Sequence, residues 1–169
     1  HADYIACHNQ SYVKKYNLLD GIKENGTFLL NCMWEDRELG KHLPESMKKK
    51  ILDNHIQFYT IDAAKIAEKL GLGKRINMIM QTAFFALCEI IPQAEAMKYL
   101  KQEVQKNYGH QGQKVVDMNF AAIDQTLNQI HKVDIELLGK SEQEDMVEYI
   151  RTGSRDTDFF VNEIMIPMN

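Results

Sequence analysis

Three short apolar runs, about 25 to 30 residues apart and each followed by helix-like sequence, constrain the fold most strongly. The runs are Tyr4-Ile5-Ala6-Cys7, Thr27-Phe28-Leu29-Leu30-Asn31 and Gln57-Phe58-Tyr59-Thr60-Ile61. None of them alternates between apolar and polar residues, which indicates strands covered on both faces, as in a parallel sheet. The first 73 residues therefore predict a β-α-β-α-β-α order in which the three strands are adjacent and parallel.

Turn and cap residues predict where these elements begin and end. Asn25-Gly26 predicts a turn before the second strand. Pro44 suits the first turn of a helix that runs to Leu52. Asp62 at the end of the third strand could cap a helix that begins at Ala63.

From Arg75 onward the pattern becomes helical. The stretch Ile76 to Ile91 is apolar nearly all round, which predicts a buried helix that Pro92 ends. Two amphipathic stripes follow, with a turn between Gly109 and Gly112. The stripes are Met97, Leu100, Val104 and Tyr108, then Val116, Phe120, Ile123, Leu127 and Ile130. We expect an α/β fold: a mostly parallel sheet with flanking helices, a helical C-terminal half and an extended arm.

The chain has the size of one domain, with 169 residues and 19.6 kDa. Residues 134–169 contain no strand pattern, and six acids but one lysine lie between Asp134 and Glu148. This stretch is too polar to form a second core. We therefore expect a domain over residues 1–133 and an arm or linker over residues 134–169. The absence of an initiator Met and the early first strand suggest a piece of a longer protein.

Charge and cysteine content narrow the classes of function. A net charge of −4 and a pI near 5.9 give no electrostatic case for nucleic acid or an anionic membrane as partner. No apolar run approaches the roughly 20 residues of a membrane-spanning helix. The three cysteines lie far apart within apolar runs, which predicts no metal site and favours a reducing, cytoplasmic compartment.

The segment Gly71-Leu72-Gly73-Lys74-Arg75-Ile76-Asn77, at the start of the predicted buried helix, suggests a phosphate site. Glycines allow close backbone approach, a helix N-terminus offers free N–H groups, and Lys74 and Arg75 add charge. The same residues also fit a glycine cap that ends the preceding helix, followed by two solvated basic residues. A single Gly-x-Gly does not decide between these interpretations.

Polar residues also follow the predicted strands at their carboxyl ends, where ligands bind in open α/β sheets. His8 and Asn31 could contact a ligand there, although loop hydrogen bonding explains them equally well. A nucleophilic Cys7–His8 pair is disfavoured because neighbours on a strand point to opposite faces. Trp34 is expected to cover the end of the sheet. Four other histidines (His42, His55, His110 and His131) lack a partner at metal-ligand spacing.

Several stretches resemble the gamma region of pyruvate:ferredoxin (flavodoxin) oxidoreductase, over Ala2 to about Lys132. They are Ala2-Asp3-Tyr4-Ile5-Ala6-Cys7-His8-Asn9, Leu18-Leu19-Asp20-Gly21-Ile22-Lys23, Gly26-Thr27-Phe28-Leu29-Leu30-Asn31, Phe58-Tyr59-Thr60-Ile61-Asp62-Ala63 and Gly71-Leu72-Gly73-Lys74-Arg75-Ile76-Asn77-Met78-Ile79-Met80-Gln81-Thr82-Ala83-Phe84-Phe85. The resemblance implies that residues 1–133 are the C-terminal part of this coenzyme-A-facing domain. The ending Phe160-Val161 through Ile166-Pro167 resembles the connection to the next domain in single-chain enzymes.

The resemblance implies part of an enzyme that oxidatively decarboxylates pyruvate to acetyl-coenzyme A. Thiamine diphosphate and iron–sulfur clusters would lie on other domains, and no catalytic residue on this chain. A partial coenzyme A site would include Gly73, Arg75, Ile76 and Asn77, with His8 and Asn31 as further candidates. The family usually has glycine where Lys74 stands, and its glycine-rich and lysine-containing segments at this site come before Ala2 in the longer protein.

The resemblance also implies the partners. They are other domains of the same oxidoreductase, ferredoxin or flavodoxin as electron acceptor, and a second copy in a homodimer of the whole enzyme. A non-catalytic docking domain within the same kind of multi-domain complex is the alternative function.

Overall fold

The computed structural model describes residues 1–139. The first three strands follow in the predicted order, with a 3₁₀ helix where a helix was predicted between the first and second, and two α-helices between the second and third. The strands are β1 (Ala2–Cys7), β2 (Ile22–Asn31), β3 (Gln57–Ile61) and β4 (His131–Lys132). The α-helices are α1 (Asp36–His42), α2 (Glu45–Asp53), α3 (Ala63–Lys69), α4 (Asn77–Cys88), α5 (Gln93–Tyr108) and α6 (Gln113–Gln129). Two 3₁₀ helices, Gln10–Lys14 and Gly109–Gln111, lie between these elements.

The described strands form one sheet in the order β1-β2-β3-β4. Strands β1 and β2 pair in parallel, with Tyr4 opposite Thr27 and Cys7 opposite Leu30. Adjacency of the three predicted strands and the parallel first pair are thus confirmed. Phe28, Leu29 and Leu30 are all fully buried. Successive side chains of a strand point to opposite faces, so β2 is covered on both.

The turn predicted at Asn25-Gly26 before the second strand is wrong, because β2 begins at Ile22 and continues through it. Asn25 does have the positive φ that a turn needs, at 62°. The pairing register shifts there: Ala2 faces Ile22 and Tyr4 already faces Thr27. The extra residues form a bulge, and the amide of Asn25 donates to the carbonyl of Asn54 at 2.8 Å.

The chain divides into two compact units, each with its own core. The first contains His1–Thr60 and, of the described residues, 132–139; Phe28 and Phe58 stack in its core with ring centroids 5.4 Å apart. The second, Ile61–His131, contains α3 to α6. Its predicted amphipathic stripes pack together, and they bury Leu100, Val104, Val116 and Ile123.

Helix α4 is shorter and less buried than the sequence predicts. It ends at Cys88 because Glu89 adopts a left-handed φ of 50°, before Pro92 is reached. Only Ile79, Met80, Thr82 and Ala83 are buried, and the side chains from Phe84 to Cys88 are partly exposed. The helix packs on its neighbours along one side, although its sequence is apolar all round.

Strand β4 has no counterpart in the sequence-based prediction. Just after it, the amide of Val133 donates to the carbonyl of Phe58 at 2.9 Å, and Val133 and Leu138 are buried in the first unit's core. Residues 134–139, the described part of the predicted arm, therefore pack on that unit. Residues 140–169, with the rest of the arm and the Phe160–Pro167 connection, lie outside the described residues. The boundary between residues 133 and 134 stays a prediction.

Candidate functional site

Gly71 ends helix α3 in the way the glycine-cap interpretation predicts. Its φ is +78°, its amide donates to Glu68 O at 3.2 Å, and the amide of Leu72 donates to Ala67 O at 2.8 Å. These two bonds satisfy carbonyls that the helix would otherwise leave without donors, as in a Schellman motif. Leu72 is buried next to the cap. At the other end of α3, Asp62 Oδ1 accepts from the Lys65 amide at 3.1 Å, which confirms the predicted cap.

Gly73 has a second, separate role in the same connection. It adopts a φ of +64°, and nothing lies within 4 Å of the place where a Cβ would be. The amide of Arg75 donates to Leu72 O at 3.2 Å, so residues 72 to 75 form a hydrogen-bonded turn. The glycine is therefore needed for its backbone conformation, and the turn places Arg75 just before α4.

The side chain of Arg75 is held by the same carbonyl. Its Nε donates to Leu72 O at 3.2 Å, while the residue as a whole is exposed. Within residues 1–139, its two terminal nitrogens have no hydrogen-bond or ion-pair partner. The guanidinium is thus held at Nε, and its two terminal nitrogens can donate to two oxygens of one anion.

The N-terminus of α4 lies directly after Arg75. Its N-cap residue, half-buried Ile76, supplies no side-chain cap, so the first amides of the helix are open to a ligand. Asn77 is the first helical residue, is exposed, and has no side-chain hydrogen-bond partner in the described part of the chain. With exposed Lys74 before them, these groups combine donors, a partial positive charge and two full charges.

His8 and Asn31 come together at the carboxyl ends of β1 and β2. Asn31 Nδ2 donates to the carbonyl of His8 at 3.0 Å, so the side-chain amide of Asn31 stabilises the turn after β1. Burial lowers the pKa of His8, which favours a neutral imidazole near pH 7. These two residues belong to the first unit, whereas Gly73, Arg75, Ile76 and Asn77 belong to the second. A ligand role for His8 and Asn31 stays a prediction.

Cys7 lies beside His8 but is not an activated nucleophile. Its Sγ donates to Asn9 O at 3.0 Å, and burial raises the pKa of the thiol to about 11. Asn9 is itself engaged, since its Oδ1 accepts from the amide and the hydroxyl of Ser11. This edge of the sheet is held by local hydrogen bonds.

Trp34 is partly buried and packs against the first unit's core, and its covering of the sheet's end stays a prediction. Its partner was not predicted: the His42 ring stacks on it at 4.2 Å between centroids and 3° between planes. Sequence reasoning also missed Leu72, whose carbonyl holds Arg75. In the sequence, an apolar residue between two glycines was the one feature that could have drawn attention to Leu72.

The donor groups of the described chain do not fit an iron–sulfur cluster or another metal. Residues 1–139 contain no group of three His, Cys, Asp or Glu side chains that could hold a metal ion. None of the three cysteines forms a disulfide. No described helix is long and apolar enough to cross a membrane.

Comparison with known proteins identifies the family. A sequence model of the pyruvate ferredoxin/flavodoxin oxidoreductase family matches residues 1–129. The chain belongs to this family. It is 48% identical to the pyruvate-flavodoxin oxidoreductase of Enterobacter agglomerans and 44% identical to the pyruvate:ferredoxin oxidoreductase of Moorella thermoacetica. Each match covers 99% of this chain but 14% of the relative, so the chain spans a small part of such enzymes.

Solved structures share the fold. Pyruvate oxidoreductase subunit PORC of Thermotoga maritima matches with a TM-score of 0.61 at 17% identity, over 78% of this chain and 65% of that chain. The 2-oxoglutarate:ferredoxin oxidoreductase of Magnetococcus marinus, solved with 2-oxoglutarate, coenzyme A and succinyl-CoA bound, matches with a TM-score of 0.50 at 20% identity. That match covers 76% of this chain and 19% of the other.

Proposed function

We propose that this chain is one domain of an enzyme that oxidatively decarboxylates pyruvate, and that it binds a phosphate group of coenzyme A. This proposal rests mainly on the guanidinium of Arg75, whose Nε donates to Leu72 O and whose outer edge is free. The guanidinium belongs to the residue just before the N-terminus of α4, which has no side-chain cap. The relatives' names support the reaction, and the coenzyme A in the Magnetococcus protein supports the ligand.

Phosphate is the chemical group that fits these donors best. A guanidinium binds two phosphate oxygens at once, and helix N-terminal amides donate to a third. The Nε tether removes part of the side-chain entropy that binding would otherwise cost. A single charge-assisted contact of this kind contributes on the order of 1.5–3 kcal/mol.

Each residue of the segment has its own part in binding. Gly73 turns the chain, Arg75 binds phosphate oxygens, and the Asn77 side chain donates to or accepts from the same ligand. Half-buried Ile76 anchors the start of α4. Bound coenzyme A supplies the thiol that accepts the acetyl group. These residues hold the ligand and take no part in bond breaking.

The remaining components belong to the whole enzyme in this proposal. Thiamine diphosphate and iron–sulfur clusters lie on other domains, as the family resemblance implies. Ferredoxin or flavodoxin accepts the electrons, as the relatives' names suggest. The homodimer is carried over from the family resemblance. Three cysteines that form no disulfide support a cytoplasmic location in this proposal.

The test uses the full-length enzyme with Arg75→Ala and Asn77→Ala. Losing one phosphate contact should raise the Michaelis constant for coenzyme A about ten- to a hundredfold in Arg75→Ala, since 1.4 kcal/mol is tenfold. Coenzyme-A-independent decarboxylation of pyruvate should stay near normal. Lys98→Ala and Asn107→Ala, at exposed positions of α5, are the matched controls and should change neither reaction.

Equal damage to both reactions would favour the alternative, a docking domain that binds no ligand. Ile90 is 68% exposed and Tyr99 45% exposed, and a docking domain could bury either side chain against a partner.

A further inference from the structure

Lys74 is a charged residue of the candidate site to which the proposed function gives no part. With Gly73 it occupies the centre of the hydrogen-bonded turn from Leu72 to Arg75. It is exposed, and in the described part of the chain its ammonium has no hydrogen-bond or ion-pair partner. The Cα atoms of consecutive residues lie about 3.8 Å apart, so the long side chain of Lys74 can reach a ligand that Arg75 binds.

Lys74 and Arg75 differ in how their charged groups are held. Arg75 Nε donates to Leu72 O at 3.2 Å, whereas the ammonium of Lys74 has no such bond within residues 1–139. A lysine ammonium is a strongly hydrated point charge on a flexible stem. Ordering that stem costs entropy, and water screens the charge, so an exposed lysine gains little from a singly charged partner. Lys74 is therefore suited to an anion that carries more than one charge.

Coenzyme A contains two kinds of phosphate. The two phosphates of its diphosphate are diesters, each with one ionised oxygen near pH 7. The 3′-phosphate on the ribose is a monoester, which carries about 1.5 to 2 negative charges at that pH. The guanidinium of Arg75 and the first amides of α4 suit one phosphate of the diphosphate. The monoester lies on the far side of the ribose ring, so a separate cation has to bind it.

We infer that Lys74 binds the 3′-phosphate of coenzyme A and makes the enzyme prefer coenzyme A over dephospho-coenzyme A, which lacks that phosphate. The inference rests on the proposed function, in which Arg75 binds another phosphate of the same ligand. Lys74 then determines specificity and takes no part in bond breaking. Because the contact joins two solvent-exposed charges, it should weaken as the salt concentration rises.

The test measures the affinity of the full-length enzyme for coenzyme A and for dephospho-coenzyme A. At low salt, Lys74→Ala should weaken coenzyme A binding about three- to tenfold and leave dephospho-coenzyme A binding unchanged. Lys74→Arg keeps the charge and should keep the preference for coenzyme A. Lys69→Ala is the matched control: it removes another exposed lysine, at the end of α3, and should change neither affinity.

Arg75→Ala in the same assay separates this inference from the proposed function. It should weaken the binding of both ligands, because both contain the diphosphate. If Arg75→Ala weakens both while Lys74→Ala weakens neither, or weakens both equally, the inference about Lys74 is overturned and the proposed function stands. If Arg75→Ala weakens neither, the proposed function is wrong and the inference falls with it.

Discussion

At the scale of single residues, Gly26 occupies a place in β2 where a side chain does not fit. An added Cβ would lie 2.8 Å from Ile22 Cγ1 and 2.8 Å from the Lys23 carbonyl oxygen. The carbonyl belongs to the bulged backbone and cannot move aside as a flexible side chain would. Gly26→Ala should therefore lower the free energy of unfolding by about 1–3 kcal/mol in urea denaturation.

Gly139→Ala is the matched control for this prediction, because nothing lies within 4 Å of its added Cβ. It should leave the free energy of unfolding unchanged or slightly raised. Equal stability of the two variants would show that the bulge relaxes freely around Gly26.

The Cys7 thiol makes stability depend on pH in the alkaline range. Burial raises its pKa from 9.0 to about 11 in the folded chain. Between these values the unfolded chain loses the thiol proton while the folded chain keeps it, so stability falls as pH rises from 9 toward 11. The full loss is roughly 2 to 3 kcal/mol, since one pKa unit corresponds to 1.36 kcal/mol.

Urea unfolding of the parent chain and of Cys7→Ala between pH 8 and 11 measures this effect on the free energy of unfolding. Other groups titrate in the same range, so the contribution of the thiol is the difference between the two plots of unfolding free energy against pH. The parent should lose more stability than Cys7→Ala. Parallel curves would mean that the thiol is not desolvated in the folded chain.

At the scale of secondary structure, Lys48 joins helices α1 and α2. It is 3% exposed, its Nζ donates to Gly40 O at 2.8 Å, and it forms an ion pair with Glu45 at 2.9 Å. Lys48→Met would leave the Gly40 carbonyl without this donor, at a cost of about 1–3 kcal/mol in the free energy of unfolding. Glu45→Gln should cost under about 1 kcal/mol, because the carboxylate is 75% exposed. Equal losses in thermal or urea unfolding would contradict this division.

The two glycines between α3 and α4 should behave differently when replaced. Both have positive φ, so Gly71→Ala and Gly73→Ala each introduce about 1–2 kcal/mol of backbone strain. Relief of the strain at Gly73 would move Arg75, so Gly73→Ala should also raise the Michaelis constant of the full-length enzyme for coenzyme A several-fold. Gly71→Ala should leave that constant unchanged. An equal rise in both variants would mean that the whole connection acts as one unit.

The sequence predicted the elements where hydrophobic pattern and local chemistry agreed. Strand β3 was located to the residue, because its apolar run is bounded by clear turns. Strand β2 was placed five residues too late, since Asn25-Gly26 has the chemistry of a turn and pairing continues around it. Strand β4 has two exposed residues and no apolar pattern, so only the tertiary pairing reveals it.

The candidate site was predictable in position and not in geometry. Two glycines, two basic residues and a helix start mark the segment in the sequence. The Nε bond of Arg75 to Leu72 O depends on the turn at Gly73 and on where that carbonyl points, which residue order alone does not specify. The hydrogen bond from Asn31 Nδ2 to the His8 carbonyl likewise depends on the parallel pairing of β1 and β2.

At the scale of the whole molecule, the chain covers 14% of the length of the Enterobacter and Moorella relatives, so its role has to be tested in the complete enzyme. In the proposed site, Arg75 contacts a phosphate and not another part of coenzyme A. Pantetheine, which has the thiol arm of coenzyme A and no phosphate, separates these possibilities.

The most direct measurement is the affinity of the full-length enzyme for coenzyme A and for pantetheine, with Arg75 intact and in Arg75→Ala. We predict that the substitution weakens coenzyme A binding about ten- to a hundredfold and leaves pantetheine binding unchanged. Lys98→Ala should change neither affinity. An equal loss for both ligands, or no loss for coenzyme A, would contradict a phosphate contact at Arg75.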